Sequence, residues 1–295
     1  MIKIDFITLK IFITISEVGS LSSAAEREHI AIAAVSKRIS DLEATAGTKL
    51  LYRRSRGVEL TPAGHAFLHH ARKILDDIFR LNAELSEYGL GIKGHIRVHS
   101  NTSSIIAFLP KDLSSFSKQY PHIKIDLQER TSDEIVSAVR DGMADIGVFA
   151  GHVNSHDLQL IPYKSDRLVL VAPNEHPITR YQKICFDDVN HLEFIGLQQN
   201  TSLHSLLYDQ ANKNGKILKM RIQVRSFNAI CRMIHHGMGV GILPENTICE
   251  ELKDLKLKAI PLTDKWAKIK LVIGIRNYDT LSVTSKFFVD HLKKS

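Results

Sequence analysis

LSSAAEREHIAIAAVSKRISDLE, residues 21–43, is the stretch on which the reading of this chain turns. Two alanine-rich segments flank a short hinge, and alanine is the strongest helix former, so both segments are expected to be helical. Upstream, Asp5 stands at an N-cap position ahead of Phe6, Leu9, Phe12 and Ile13, which share one helical face. Gly19 breaks that helix, and Ser20 is placed to cap a second one running to about Glu28. His29-Ile30-Ala31 makes the turn. In the third helix Ile32, Val35, Ile39, Leu42 and Ala46 recur three and four apart, which predicts one buried stripe. Ser36, Lys37, Arg38, Ser40 and Asp41 fall on the opposite face, and Gly47 ends the helix. Two short helices joined by a tight turn, the second exposing hydroxyls and cations near its start, have the layout of a helix-turn-helix. On pattern alone, an ordinary three-helix corner with solvated charges fits as well.

The next stretch separates the two readings. KLLYRRSRGVELTPAG (49–64) places Lys49, Arg53, Arg54 and Arg56 around a turn at Gly57, between the apolar runs 50–52 and 58–60. This is a two-stranded wing with a cationic tip, suited to phosphate contacts and to a narrow minor groove. The residues expected to meet a nucleic acid are therefore Ser22, Ala33, Ala34, Ser36, Lys37 and Arg38 on the helices, with Arg53, Arg54 and Arg56 on the wing.

Thr61-Pro62 is an N-cap followed by proline in the first turn, a strong helix start. From there Phe67, Ala71, Ile74, Ile78, Leu81, Leu85 and Tyr88 repeat at heptad spacing up to Gly89 and Gly91. A helix of that length spans roughly 40 Å, more than a small neighbour can cover. One narrow stripe of this length calls for a second helix like itself. Phe67 to Leu85 are accordingly expected to form a dimerisation seam.

Composition sets looser bounds. The chain has 295 residues, enough for more than one core, and a formal net charge of +7 that suits an acidic partner without requiring one. No apolar run approaches the ~20 residues of a spanning helix, and MIKIDFITLK lacks the apolar core of a secretory signal. Cys185, Cys231 and Cys249 are odd in number and widely spaced, which argues against a disulfide framework and for a reducing cytoplasm.

Residues 6–64 resemble the DNA-binding domain of the LysR-type transcriptional regulators. The resemblance is carried by Leu9 and Phe12, Gly19-Ser20, Ala24-Ala25, Val35-Ser36, Ile39 and Leu42-Glu43, then by Gly47, Leu50-Leu51-Tyr52-Arg53 and Leu60-Thr61-Pro62-Ala63-Gly64. It implies a winged helix-turn-helix, a long linker helix and a C-terminal effector domain, usually assembled as a tetramer. One departure stands out. Where the family commonly has Ser-Gln-Pro leading into the recognition helix, this chain has Ala31-Ile32-Ala33. The cap oxygen and the amide that pairs with an adenine edge are both missing, so the usual base preference does not carry over there.

Beyond the linker, strands and helices alternate. Strands are expected at 96–99, 123–129, 144–150, 167–173, 193–197, 220–226, 240–244 and 268–276. Helices are expected at 103–119, 132–141, 202–213, 228–236 and about 279–293. This alternation predicts a mostly parallel sheet in two doubly wound lobes with a cleft at the strands' carboxyl ends. VRDGMADIGVFA, RLVLVAPNEHP and GMGVGILPE resemble the same family's effector domain, which implies the two-lobed fold of periplasmic solute-binding proteins, type 2. The expected domains are 1–60 (winged head), 61–91 (linker helix) and 92–295 (effector domain). Within the last, lobe I takes about 92–165 and 267–295, and lobe II about 166–266.

Ser100-Asn101-Thr102-Ser103 and Thr201-Ser202 each end a strand at a helix start, where free N–H groups and the helix dipole favour an anion. Each hydroxyl serves equally well as a cap of its own helix. The resemblance puts the effector at these two termini, with Phe149, Ala150 and Phe227 as further walls. Other motifs carry less. Gly237-x-Gly239-x-Gly241 precedes a strand instead of following one, so it lacks the geometry of a dinucleotide loop. His152, His156 and Asp157 lack a fourth ligand, so no metal is expected, and neither a catalytic constellation nor a cofactor motif is found.

The expected function is a regulator that binds double-stranded promoter DNA as a homodimer or homotetramer and answers to a small anionic effector, with RNA polymerase as a further partner and no membrane. The alternative is a solute-binding or enzymatic α/β protein whose N-terminal helices serve protein contacts. A nonspecific nucleoid protein fits less well, because it needs no sensor.

Overall fold

The computed structural model describes residues 4–54, 57–90, 94–155 and 157–295, without the side chains of 76, 79, 80 and 82–90. These residues fall into two compact units that meet in sequence at the end of the long helix.

The first unit contains α1 (Phe6–Val18), α2 (Leu21–Arg27), α3 (Ile32–Ala46), the hairpin β1 (Leu51–Arg54) and β2 (Gly57–Leu60), and α4 (Pro62–Leu90). The caps are local and behave as their residue types demand. Asp5 accepts the Thr8 amide at 2.8 Å, Ser20 accepts from Ser23, and Gly19 and Gly47 adopt left-handed backbone angles. Ile11, Phe12, Ile15, Ala24, Ala25, Val35, Ile39 and Leu42 make one core with Leu50, Leu51 and Leu68. The stripe expected on α3 is buried at Val35, Ile39 and Leu42, but Ile32 is 52% exposed. It lies in the first turn, beyond the reach of that core.

Glu43 ties the wing to α3. Its side chain is 5% exposed and accepts from Lys49 Nζ at 2.7 Å and from the Leu50 and Leu51 amides at 2.9 and 3.1 Å. Burial works to raise its pKa, but the lysine and the two amides together outweigh that and hold it below its ordinary 4.5. At the far end of the wing the Val58 amide donates to the Gly19 carbonyl at 2.9 Å, and a Cβ on Gly57 would strike that same oxygen. Thr61 Oγ1 donates to the Lys49 carbonyl at 2.7 Å and accepts the Gly64 amide at 2.9 Å. Gly64 lets the start of α4 press against the Leu50 carbonyl. The Thr-Pro-Ala-Gly stretch is thus a cap, a helix start and a close approach in four residues.

The second unit runs β3 (Gly94–Ser100), α5 (Thr102–Ala107), α6 (Leu109–Gln119), β4 (Ile123–Glu129), α7 (Ser132–Arg140), β5 (Ile146–Ala150) and β6 (Gln159–Pro173). It continues through α8 (Phe186–Val189), β7 (Phe194–Leu197), α9 (Ser202–Lys213), β8 (Met220–Val224), α10 (Phe227–His235) and β9 (Gly241–Pro244). It closes with α11 (Cys249–Asp254), β10 (Leu257–Pro261), β11 (Lys268–Ile275) and α12 (Val283–Lys294). The helix expected over 103–119 is two helices. Pro110 has no amide to give the preceding turn, and the chain breaks at Phe108, whose backbone leaves the helical region.

One half holds β4, β3 and β5 in parallel, with β11 antiparallel beside β5. The sheet is therefore mixed where a mostly parallel one was expected. β6 passes through both halves. Its first part pairs β11 and its last part, from Leu168, pairs β9 and β10. β7 and β8 form a parallel pair, tied to the second half by the Phe194–Val240 bridge. Each half has its own core, one around Ile96, Val98, Phe116 and Phe288 and the other around Leu168–Ala172, Ile195 and Ile230. This is the two-lobed architecture expected, with β6 as a crossing strand.

Candidate functional site

Two surfaces follow from this framework. The first is the outer side of α3 with the wing. Ala33, Ala34 and Lys37 are exposed and Ser36 is half-buried, with Ser22 exposed at the start of α2. Arg53 and Arg54 are exposed on β1, Arg54 reaching Glu59 at 3.3 Å and lying 5.5 Å from the centre of the Tyr52 ring. Arg56 lies outside the described residues. Arg38 has partners within the chain: its guanidinium donates to Asp5 Oδ2 at 2.8 Å and Thr8 Oγ1 at 3.1 Å, which fastens α3 to the start of α1.

The seam on α4 divides along its length. Phe67 packs edge-on against Phe12 with centroids 4.8 Å apart, and Ala71 is buried with Leu9 and Leu75. Those first two positions are covered by α1 of the same chain. Ile78 is half-buried, whereas Ile74 and Leu81 are 45% and 54% exposed. Leu85 lies outside the described side chains.

The second surface is a cavity of about 730 Å³ within the second unit. Asn101, Thr102, Ser103 and Ala150 line it from one half, and Thr201, Ser202 and Phe227 from the other. Ser100 and Phe149 are not among the lining residues. Ser100 is fully buried at the end of β3, and Phe149 is fully buried in a core with Ile135, Val139 and Leu158. Alternation along β5 sends Ala150 to one face and Phe149 to the other.

Three helix starts converge on the cavity, one more than expected. Asn101 Oδ1 caps α5 by accepting the Ser104 amide at 3.0 Å, and Thr201 Oγ1 caps α9 by accepting the His204 amide at 3.3 Å. α7 contributes the third. Thr131 precedes it, and Glu134, three residues on, accepts the Thr131 amide at 2.8 Å and hydroxyl at 2.9 Å. That backbone hydrogen bond and the hydroxyl lower the Glu134 pKa. Ser132 on α7 donates to Ser202 on α9 at 3.3 Å, and His152 lies 3.3 Å from the Ser202 carbonyl. The two halves thus touch across the cavity.

Charge is divided unevenly. Arg225 Nε donates to Gln198 Oε1 at 2.9 Å, and Arg130 bonds the Gln128 side chain and the Glu129 carbonyl. In these bonds both guanidiniums are held by neutral oxygens. Burial, and then the nearby Arg130 charge, push the pKa of His99 below its ordinary value. Glu129, Asp133 and Glu134 also line the cavity; Glu129 accepts from Thr102, and Glu134 is spent on its cap. Sequence reasoning missed Arg225 and the α7 start. Thr131-x-x-Glu134 is a capping-box spacing and Arg225 directly follows a strand, so both carried a local signal. Among the described residues, no group of three or more His, Cys, Asp or Glu side chains could hold a metal ion, and His156 lies outside them.

A winged helix-turn-helix on a long helix, joined to a two-lobed α/β unit with an interlobe cavity, defines a sensor-linked DNA-binding protein. Comparison with known proteins agrees. Residues 6–65 match the family model for bacterial regulatory helix-turn-helix proteins of the lysR family, and residues 90–295 match the LysR substrate binding domain. The chain belongs to the LysR family of transcriptional regulators. It is 27% identical over 291 residues to a probable RuBisCO transcriptional regulator of Emiliania huxleyi, covering 97% of this chain and 90% of that one. It is 25% identical over 263 residues to the transcriptional regulator CysL of Bacillus subtilis, covering 89% and 88%. The fold is similar to full-length CbnR complexed with its target DNA, at a TM-score of 0.72 and 22% identity over 99% of both chains.

Proposed function

We propose that this regulator binds promoter DNA as a homodimer or homotetramer, α3 and the wing facing the duplex and the exposed part of α4 facing a second copy. A small anionic effector in the interlobe cavity biases the arrangement of the halves. The carrying observation is the cavity itself, where the α5 and α9 starts meet two guanidiniums held by neutral oxygens. Helix starts supply N–H donors and a positive dipole end, and a guanidinium adds a charge-assisted bond. The Glu129–Asp133 wall favours an effector whose other end carries hydrogen-bond donors such as hydroxyls. In this reading the protein works in the cytoplasm, and RNA polymerase is the partner through which DNA binding is read out.

An effector shifts the DNA-bound state only through its different affinity for the two arrangements. The test is a panel of small carboxylates screened by thermal shift on the full chain, followed by footprinting with and without each hit. Arg225→Gln is expected to lose the response, with effector affinity reduced about 10-fold, while binding DNA as before. An unshifted response in that variant, or no carboxylate that stabilises the protein, would count against an anionic effector here.

A further inference from the structure

The start of α3 has a composition that its proposed task does not explain. Its cap position is Ala31, which offers no side-chain hydrogen bond, and its first turn is Ile32, Ala33 and Ala34, all exposed. A half-exposed isoleucine in the first turn contributes little to the head's core, which is complete from Val35 inward. Lys37 on the same helix and Arg53 on the wing are exposed, and their charges suit a polyanion.

Recognition helices enter the major groove with their N-terminal residues against base edges. The edge groups there are mostly hydrogen-bond donors and acceptors, and the one apolar group that projects into the groove is the C5 methyl of thymine. Side chains of isoleucine and alanine have no donor or acceptor, so placed against N7, O6, N6 or N4 they would only strip water from it. Against a thymine methyl they bury apolar surface on both sides. We infer that Ile32, with Ala33 and Ala34, reads thymine methyl groups, so that this regulator selects operator positions by apolar contact at the point where a glutamine would read adenine. The inference rests on the reading of α3 as the recognition helix.

The test starts from an operator selected in vitro from random duplexes by the full chain. Each thymine is then replaced singly by deoxyuridine, which removes only the methyl. At one or two positions per half-site the loss of the methyl should weaken binding by the wild type about 4-fold, the value of one buried methyl. Ile32→Ala should reduce that difference at the position Ile32 reads, and Ile32→Gln should shift selection at that position from thymine toward adenine. Uracil-bearing duplexes that bind as tightly as the parent at every position would overturn the inference, as would a uracil penalty equal at every position in wild type and Ile32→Ala. Lys37→Ala and Arg53→Ala separate the two levels. If they weaken binding while uracil does not, methyl reading alone is wrong; if they too bind like wild type, α3 is not the reading helix and both readings fall.

Discussion

The head exposes apolar side chains where a soluble surface would ordinarily be polar, at Ile32 on α3 and at Ile74 and Leu81 on α4. The cleft unit does the reverse, gathering amides, hydroxyls and guanidiniums inside a concavity. The start of α3 is uncapped and apolar, whereas α5 and α9 are capped by Asn101 and Thr201 and flanked by hydroxyls. The cavity also has apolar walls, among them Leu203, Phe227, Ile269 and Leu271, so the contrast lies in the polar helix starts facing it and not in its whole lining. Exposed apolar side chains cost little singly but mark where something else must complete the contact. Two of the head's polar groups are engaged internally, Glu43 by the wing and Arg38 by the first helix, while Lys37 and Arg53 stay exposed.

The largest effect expected from breaking this contrast is on assembly. Ile74 and Leu81 are exposed within one chain, so changing both to aspartate leaves the monomer's core intact. In a seam between two copies the same change buries unpaired charge. Sedimentation should show loss of the oligomer; an unchanged species would remove α4 from the interface.

Next in size is Glu43→Ala, which leaves the Leu50 and Leu51 amides without their acceptor and is expected to cost the head about 3 kcal/mol. Calorimetry should show the head's transition falling while the cleft unit's stays. The pH dependence has a definite sign. Because the folded pKa of Glu43 is lowered, its contribution is fully present above the unfolded value near 4.5 and is lost as pH falls through the lower folded value. Glu43→Ala should therefore flatten the acid limb of the head's stability curve, and an unaltered limb would show that Glu43 is not the group responsible.

The smallest effects sharpen the comparison between helix starts. Ala31→Ser adds the missing cap and should stabilise the head by roughly 0.5–1 kcal/mol, while Asn101→Ala should cost the cleft unit about 1 kcal/mol. Urea titrations resolve both. Stabilisation absent in the first would mean that the α3 start is closed by other means.

Most of the head was legible because its punctuation is local. Asp5, Gly19, Ser20, Gly47 and Thr61 each bond within a few residues or adopt one special backbone angle, and those tendencies survive any packing. What covers a stripe is not local. Heptad spacing marked Phe67 and Ala71 as a seam for a second chain, but α1 of the same chain reaches them first. In the cleft unit the first part of β6, QLIPYKSD, was missed because Pro162 and its polar residues hide a strand. Its pairing with β11 tolerates them by an irregularity at Tyr163, which has no partner in the register. β10 was missed because LKAIP is short and ends in proline. The α5 and α9 starts were readable from their hydroxyls, whereas the roles of Thr131, Glu134 and Arg225 depend on strands far apart in sequence converging on one cavity.

The proposed division of labour stands or falls on what α3 touches. The direct measurement is the salt dependence of binding to duplexes from upstream of the protein's own gene, for wild type beside Lys37→Ala. If Lys37 neutralises a phosphate, the variant should bind more weakly across all sequences, and the slope of log K against log salt should become shallower by about one. A variant with the wild-type affinity and slope would contradict the placement of α3 against DNA.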